Sequence, residues 1–220
     1  MKSIKSIIFL LLLNQIVLAQ VDMLNEGLES CLQENEFSFV NELFIELETY
    51  SFEILNVENH NYRELTNKFC QINEPGKFIL SENTKLSELL KRGIKNKFWI
   101  LDRYDQSNKY VTDGDTIKII PPSHTEYIPP PPESIEQSYI NSENKYISCS
   151  KEYVTHVAMK VFYQRYETYK VAASMVKLCS MIEFFKEDDY KLSSIKHYIL
   201  IHCICQKIIH ENGYYKYFEK

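Results

Sequence analysis

Glycine is scarce, with five in 220 residues. A β-sandwich or barrel needs many tight turns with positive φ, which glycine supplies at least steric cost. The composition therefore speaks against those folds. No run approaches the roughly 18 apolar residues of a spanning helix. Ile195–Ile209 is apolar but carries Lys196, His197, His202 and Lys207, so no membrane span is predicted. Asn-x-Ser/Thr is absent, and with it any N-glycan acceptor. Also missing are the Gly-x-Ser-x-Gly elbow, the phosphate loop and His-Glu-x-x-His. Acidic residues are plentiful, but nothing singles out a catalytic pair. The expectation is a protein that is not an enzyme and takes no cofactor. His202, Cys203, Cys205 and His210 cluster without any standard zinc spacing, so no metal centre is expected.

What is present begins with a positive start at Lys2 and Lys5, an apolar run Ile7–Leu13, and the small residue Ala19. This reads as a secretory signal peptide over residues 1–19, which predicts a secreted chain. Charge is uneven beyond it. Gln20–Pro75 holds two basic and twelve acidic residues, whereas Gly76–Pro121 holds nine basic and six acidic. A basic centre beside an acidic neighbour predicts contact between the two. The basic excess is small and lacks interleaved aromatics, so nucleic acid is not an expected partner.

The cysteines are Cys31, Cys70, Cys149, Cys179, Cys203 and Cys205. An even set in a secreted chain predicts disulfides. Cys203 and Cys205 lie about 200° apart around a helix and cannot join each other within one, so each is expected to take a different partner. Cys149 and Cys179 are the local candidates, with Cys31–Cys70 closing the N-terminal part. A straight helix from Lys151 to Lys186 would be about 50 Å long. The segment must therefore break, near Tyr166–Tyr169, or Cys149 must pair elsewhere.

Apolar residues recur at three and four positions through Val21–Leu32, Glu36–Val57 and Asn61–Ile72, predicting an acidic helical region over 20–75. Phe78–Leu80 reads as a short strand. Thr84 reads as the N-cap of a helix Lys85–Arg92, with Gly93 ending it. Asn96–Tyr104 reads as a second helix, and Thr116–Ile120 as a closing strand. The two strands would pair antiparallel, giving a βααβ unit over 76–121. Pro121–Pro122 and Pro129–Pro132 favour extended polyproline II, predicting a spacer over 122–147. Helices are expected from 148 to 220. Ser150 is the candidate cap of the first, Asp188–Asp189 starts the last, and Asn212–Gly213 stops it. The tail Tyr214–Phe218 is expected to pack on the bundle. The fold class is mainly α with a small βααβ module between disulfide-bonded helical regions.

The βααβ pattern resembles the LysM family. Members open on a strand, a Gly-Asp-Thr loop, a Leu and a helix, and close on Gly-x-x-Leu-x-Ile-Pro. Leu86 stands where that Leu stands, and Gly114-Asp115-Thr116-Ile117-Lys118-Ile119-Ile120-Pro121 stands at the close. Asn83-Thr84-Lys85 replaces the Gly-Asp-Thr loop. The resemblance spans residues 78–121. It implies a cell-wall protein that binds N-acetylglucosamine polymers, such as chitin, in a groove between two loops. By position the groove residues are Glu82, Asn83, Thr84 and Lys85 with Asp105, Gln106, Ser107, Asn108 and Tyr110. Amide and hydroxyl side chains there could meet sugar hydroxyls. The alternative function is a secreted structural or protein-interaction role in a wall or coat, without sugar binding.

Overall fold

Apolar spacing builds the N-terminal helices where it predicts them. α1 spans Leu24–Cys31, α2 Glu34–Ile54 and α3 Tyr62–Gln71. Val40, Leu43 and Leu47 line the buried face of α2, while its glutamates stay outward. Asn61 caps α3 by accepting the Glu64 N–H at 3.1 Å, which satisfies one of the four otherwise unpaired donors of the first turn. The computed structural model describes residues 23–72, 75–82, 84–104, 110–113, 116–119, 135–169, 175–182 and 184–218. The signal-peptide reading and the prolines of 121–134 lie outside them.

The central segment departs from the βααβ expectation. Thr84 does cap α4, Lys85–Lys95, taking the Ser87 N–H on its hydroxyl. Gly93, however, does not end this helix. It lies within α4, where a Cβ would overlap the Trp99 ring. The stop comes at Asn96–Lys97, with Lys97 at φ 56°. The expected second helix is instead a strand, β1, Trp99–Tyr104. Phe78–Leu80 joins no ladder among the described residues. Its backbone is held by side chains at the end of the last helix. Leu80 N–H donates to Asn212 Oδ1 and Asn212 Nδ2 donates to Phe78 O, both at 2.7 Å. Glu211 accepts the Phe78 N–H at 2.7 Å. Three of its backbone polar groups are taken in this way, where a neighbouring strand would otherwise meet them.

Thr116–Ile119 is a strand, β3, but its antiparallel partner is β2, Tyr110–Asp113. β1 pairs antiparallel with β4, Ile135–Ile140, in a register running from Trp99↔Ile140 to Tyr104↔Ile135. The stretch read as a spacer over 122–147 therefore ends in a strand and the start of a helix. Trp99 and Ile140 form the last pair of this ladder, next to the helices. Both of these residues are buried, and Phe98 packs on Trp99, Phe39 and Tyr146.

From Lys145 onward the described residues are mainly helical. α5 spans Lys145–Tyr153, α6 Val157–Tyr169 and α7 Met175–Ile182. Asn144, not Ser150, caps α5; Ser150 is buried inside it. After a 3-10 turn at Glu187–Lys191, one continuous stretch runs through α8, Ser193–His197, a π-turn, Tyr198–Ile204, and α9, Cys205–Glu211. Gly213 follows at φ 60°, the left-handed conformation that closes helices. The tail packs as expected: the Tyr214 hydroxyl donates to Ser87 Oγ at 2.7 Å and the Lys91 ammonium sits over the Tyr217 ring.

The disulfides pair distant segments. Cys31–Cys149 joins α1 to α5 with Cα atoms 5.9 Å apart, and Cys70–Cys179 joins α3 to α7 at 5.6 Å. Both correct the expected local pairings. Gly27 lets α1 approach α5, since a Cβ there would overlap Tyr153. That contact brings Cys31 to Cys149 rather than to Cys70. Cys203 and Cys205 are unbridged and buried, correcting the expectation that each takes a partner. One apolar core draws on residues from Leu24 to Tyr214, so the N-terminal helices and the helices after the prolines share it.

Candidate functional site

Of the residues read as a sugar groove, Glu82, Thr84, Lys85 and Tyr110 are among those described. Glu82 is exposed. Thr84 is committed to capping, and Lys85 pairs with Glu46 of α2 at 3.0 Å. Asn83, Asp105, Gln106, Ser107 and Asn108 lie outside the described residues. Tyr110 opens β2, opposite Ile119. The Lys85–Glu46 pair and the Arg92–Glu42 pair at 3.3 Å do realise the predicted contact between the basic centre and the acidic helix.

The densest polar chemistry lies elsewhere, where the last helix crosses the core. His197 ends α8 and His202 sits in the π-turn, both essentially without exposure. The i→i+5 bonding of a π-turn brings residues five apart toward one face. Both imidazoles accordingly stack on Tyr146 of α5, at centroid distances of 6.1 and 5.9 Å. Phe44 of α2 stacks on His197 at 4.6 Å. His197 Nδ1 shares a hydrogen bond with the Tyr146 hydroxyl at 3.3 Å. His202 is ringed by Phe162, Tyr163 and Tyr166 of α6, edge to face at 5.0–5.5 Å, and by Tyr198. Neither ring nitrogen of His202 has a hydrogen-bond partner among the described residues.

Burial sets the protonation of this cluster. It lowers His197 to about 3. It lowers His202 to about 3 as well, with His197 adding to the effect. Both rings are therefore neutral at physiological pH. Burial, with Tyr163 next, pushes the Tyr146 phenol well above its ordinary value. Burial raises both the Cys203 and Cys205 thiols, so neither is a poised nucleophile. Among the described residues no group of His, Cys, Asp and Glu could hold a metal ion, and no helix is long and apolar enough to cross a membrane.

Sequence spacing groups His202 with Cys203, Cys205 and His210 and does not connect it to His197. A five-residue spacing fits no α-helical period, so only knowledge of the π-turn joins them. At the surface, Val157 and Val161 stand one turn apart on α6 with relative exposures of 74 and 42 %. Phe184, just after α7, is 78 % exposed. Its neighbour Phe185 packs edge-on against His156, the residue before α6 enters at Val157. No family model, no curated protein and no solved structure matches the chain.

Proposed function

We propose that this chain is exported and folds, once its leader is removed, into a disulfide-braced helical scaffold. Its role is to contact other proteins of an extracellular layer or wall, without catalysis. The observation that carries the reading is the pair of disulfides joining segments 118 and 109 residues apart. Bridges of this kind persist in oxidising compartments and are rare in reducing ones. The Lys2-to-Ala19 leader pattern points the same way. Exposed Val157, Val161 and Phe184 supply apolar surface of the kind that partner proteins cover. The protein-contact reading is preferred over N-acetylglucosamine binding because Phe78–Leu80 and Thr116–Ile119 do not pair, and the groove between their loops depends on that pairing.

Expression of the full chain in a secretory eukaryotic host tests the proposal. The expected result is protein in the medium, starting near Gln20, with Cys31/Cys149 and Cys70/Cys179 bridged peptides recovered without reduction. Retention inside the cell with reduced cysteines overturns it. The oxidised protein is also expected to wash through chitin beads; specific retention would return the sugar reading to first place.

A further inference from the structure

We propose that the π-turn carrying His197 and His202 is a proton-operated latch, closed at neutral pH, which releases the Ser193–Glu211 helix from the aromatic cage of α5 and α6 when the surroundings turn acidic. The inference rests on the cage geometry and does not depend on where the protein is exported.

An imidazolium needs water or a counter-charge; both rings are buried from solvent, and no carboxylate stands against them among the described residues. Among the described residues, the titratable groups facing the pair are phenols: Tyr146 from α5, Tyr163 and Tyr166 from α6, and Tyr198 on the turn itself, which has the Cys203 thiol beside it. α2 presents Phe44. α7 presents Met181, whose sulfur accepts the Tyr198 hydroxyl at 3.3 Å. The nearby ions are engaged elsewhere. Lys196 of α8 lies over the Tyr62 ring, Lys207 of α9 pairs with Glu211, and Glu48 of α2 accepts the Tyr62 hydroxyl.

A charge placed on His202 would therefore sit fully buried and unpaired, which proteins avoid by opening or by shedding the proton. The open form, with imidazoles in water, takes up protons near the ordinary value of about 6.5. Each buried histidine then favours the open form about tenfold per pH unit below that value, and the two together about a hundredfold. From pH 7.5 to pH 5 the open population rises on the order of 1000-fold. The disulfides join α1 to α5 and α3 to α7 and leave the Ser193–Glu211 stretch unbridged. Opening is thus local, and the tethered chain can close again when neutralised.

The test uses the full oxidised chain, wild type and His202→Leu. Amide exchange over 193–211 is followed by mass spectrometry from pH 7.5 to 4.5, against unstructured reference peptides, alongside near-ultraviolet circular dichroism. The expected wild-type result is loss of protection over 193–211 below about pH 6, recovered on return to pH 7.5. The expected variant result is a slope cut from about a hundredfold to about tenfold per pH unit. Equal slopes in the two proteins overturn the proposal. If the variant does not fold, the wild-type histidine proton resonances decide. His197 and His202 signals that titrate near 6.5 while near-ultraviolet dichroism stays unchanged also overturn it; signals that change only as that dichroism is lost support it.

Discussion

Replacing Cys31 and Cys149 together by alanine opens a bridge that closes 118 residues of chain. In the chain-entropy treatment a closed loop of that size removes about 5 kcal/mol of unfolded-state freedom. The Cys70–Cys179 bridge spans 109 residues and is interleaved with the first. With Cys31–Cys149 in place, its ends are already linked by a shorter route. That route runs 39 residues back to Cys31, then 30 on from Cys149 to Cys179. Closing a loop of about 70 residues still contributes about 4 kcal/mol. Either single-bridge variant is thus expected to lose about 4–5 kcal/mol, and a variant lacking both about 9. Domains are commonly stable by about 5–15 kcal/mol, so single-bridge variants should fold while the double variant is largely unfolded at 37 °C. The assay is urea unfolding at pH 7.5 by far-ultraviolet dichroism. The dependence on urea should steepen when a bridge is lost, because the unfolded chain exposes more surface. A midpoint shift worth under about 1 kcal/mol for both single-bridge variants would refute the long-loop reasoning.

Four further outcomes are expected. Gly27→Ala should destabilise by about 1–3 kcal/mol, because overlap with Tyr153 outweighs the roughly 1 kcal/mol that alanine gains in a helix; thermal unfolding measures it. Asn212→Ala strands the Leu80 N–H and the Phe78 carbonyl and should cost about 2 kcal/mol, with faster amide exchange at Leu80. Glu46→Gln, by contrast, removes only a half-exposed ion pair to Lys85 and should change the urea midpoint by less than about 0.5 kcal/mol. The folded-state values of His197 and His202 lie below the unfolded value, so their contribution is complete above about pH 6.5 and is lost as pH falls toward 3. Urea unfolding should show each histidine removing about 1.4 kcal/mol per pH unit in that window. His202→Leu should abolish one share and raise neutral-pH stability by about 1 kcal/mol, since it removes a buried group with unpaired nitrogens.

The local features were legible. The α2 stripe Val40, Leu43, Leu47 follows helical spacing, Thr84 caps where its hydroxyl predicts, and Asn212–Gly213 stops the last helix. What could not be read is what depends on distant partners. Phe98-Trp99-Ile100-Leu101 is an apolar run that suits a helix or a strand alike. It becomes β1 because Ile135–Ile140, beyond the prolines, supplies its ladder. Gly93 looks like a helix end in isolation, yet it is a hole made for the Trp99 ring. Phe78–Leu80 has strand composition, but Asn212 and Glu211, over 130 residues away, take its polar groups. Cysteine pairing follows which helices touch, and that lies outside any spacing rule. The histidine pair was missed because α-helical periodicity puts positions 197 and 202 on different faces, and the π-turn puts them on one.

The β1–β4 ladder brings Trp99 and Ile140 side by side at the edge of the core. That ladder ties two points 41 residues apart in sequence to one spot on the core. Closure entropy grows only slowly with length, by about 0.6 kcal/mol per doubling. The connection between Tyr104 and Ile135 can therefore be shortened, or exchanged for a fluorescent reporter, at little entropic cost, with the ladder register holding its two ends in place.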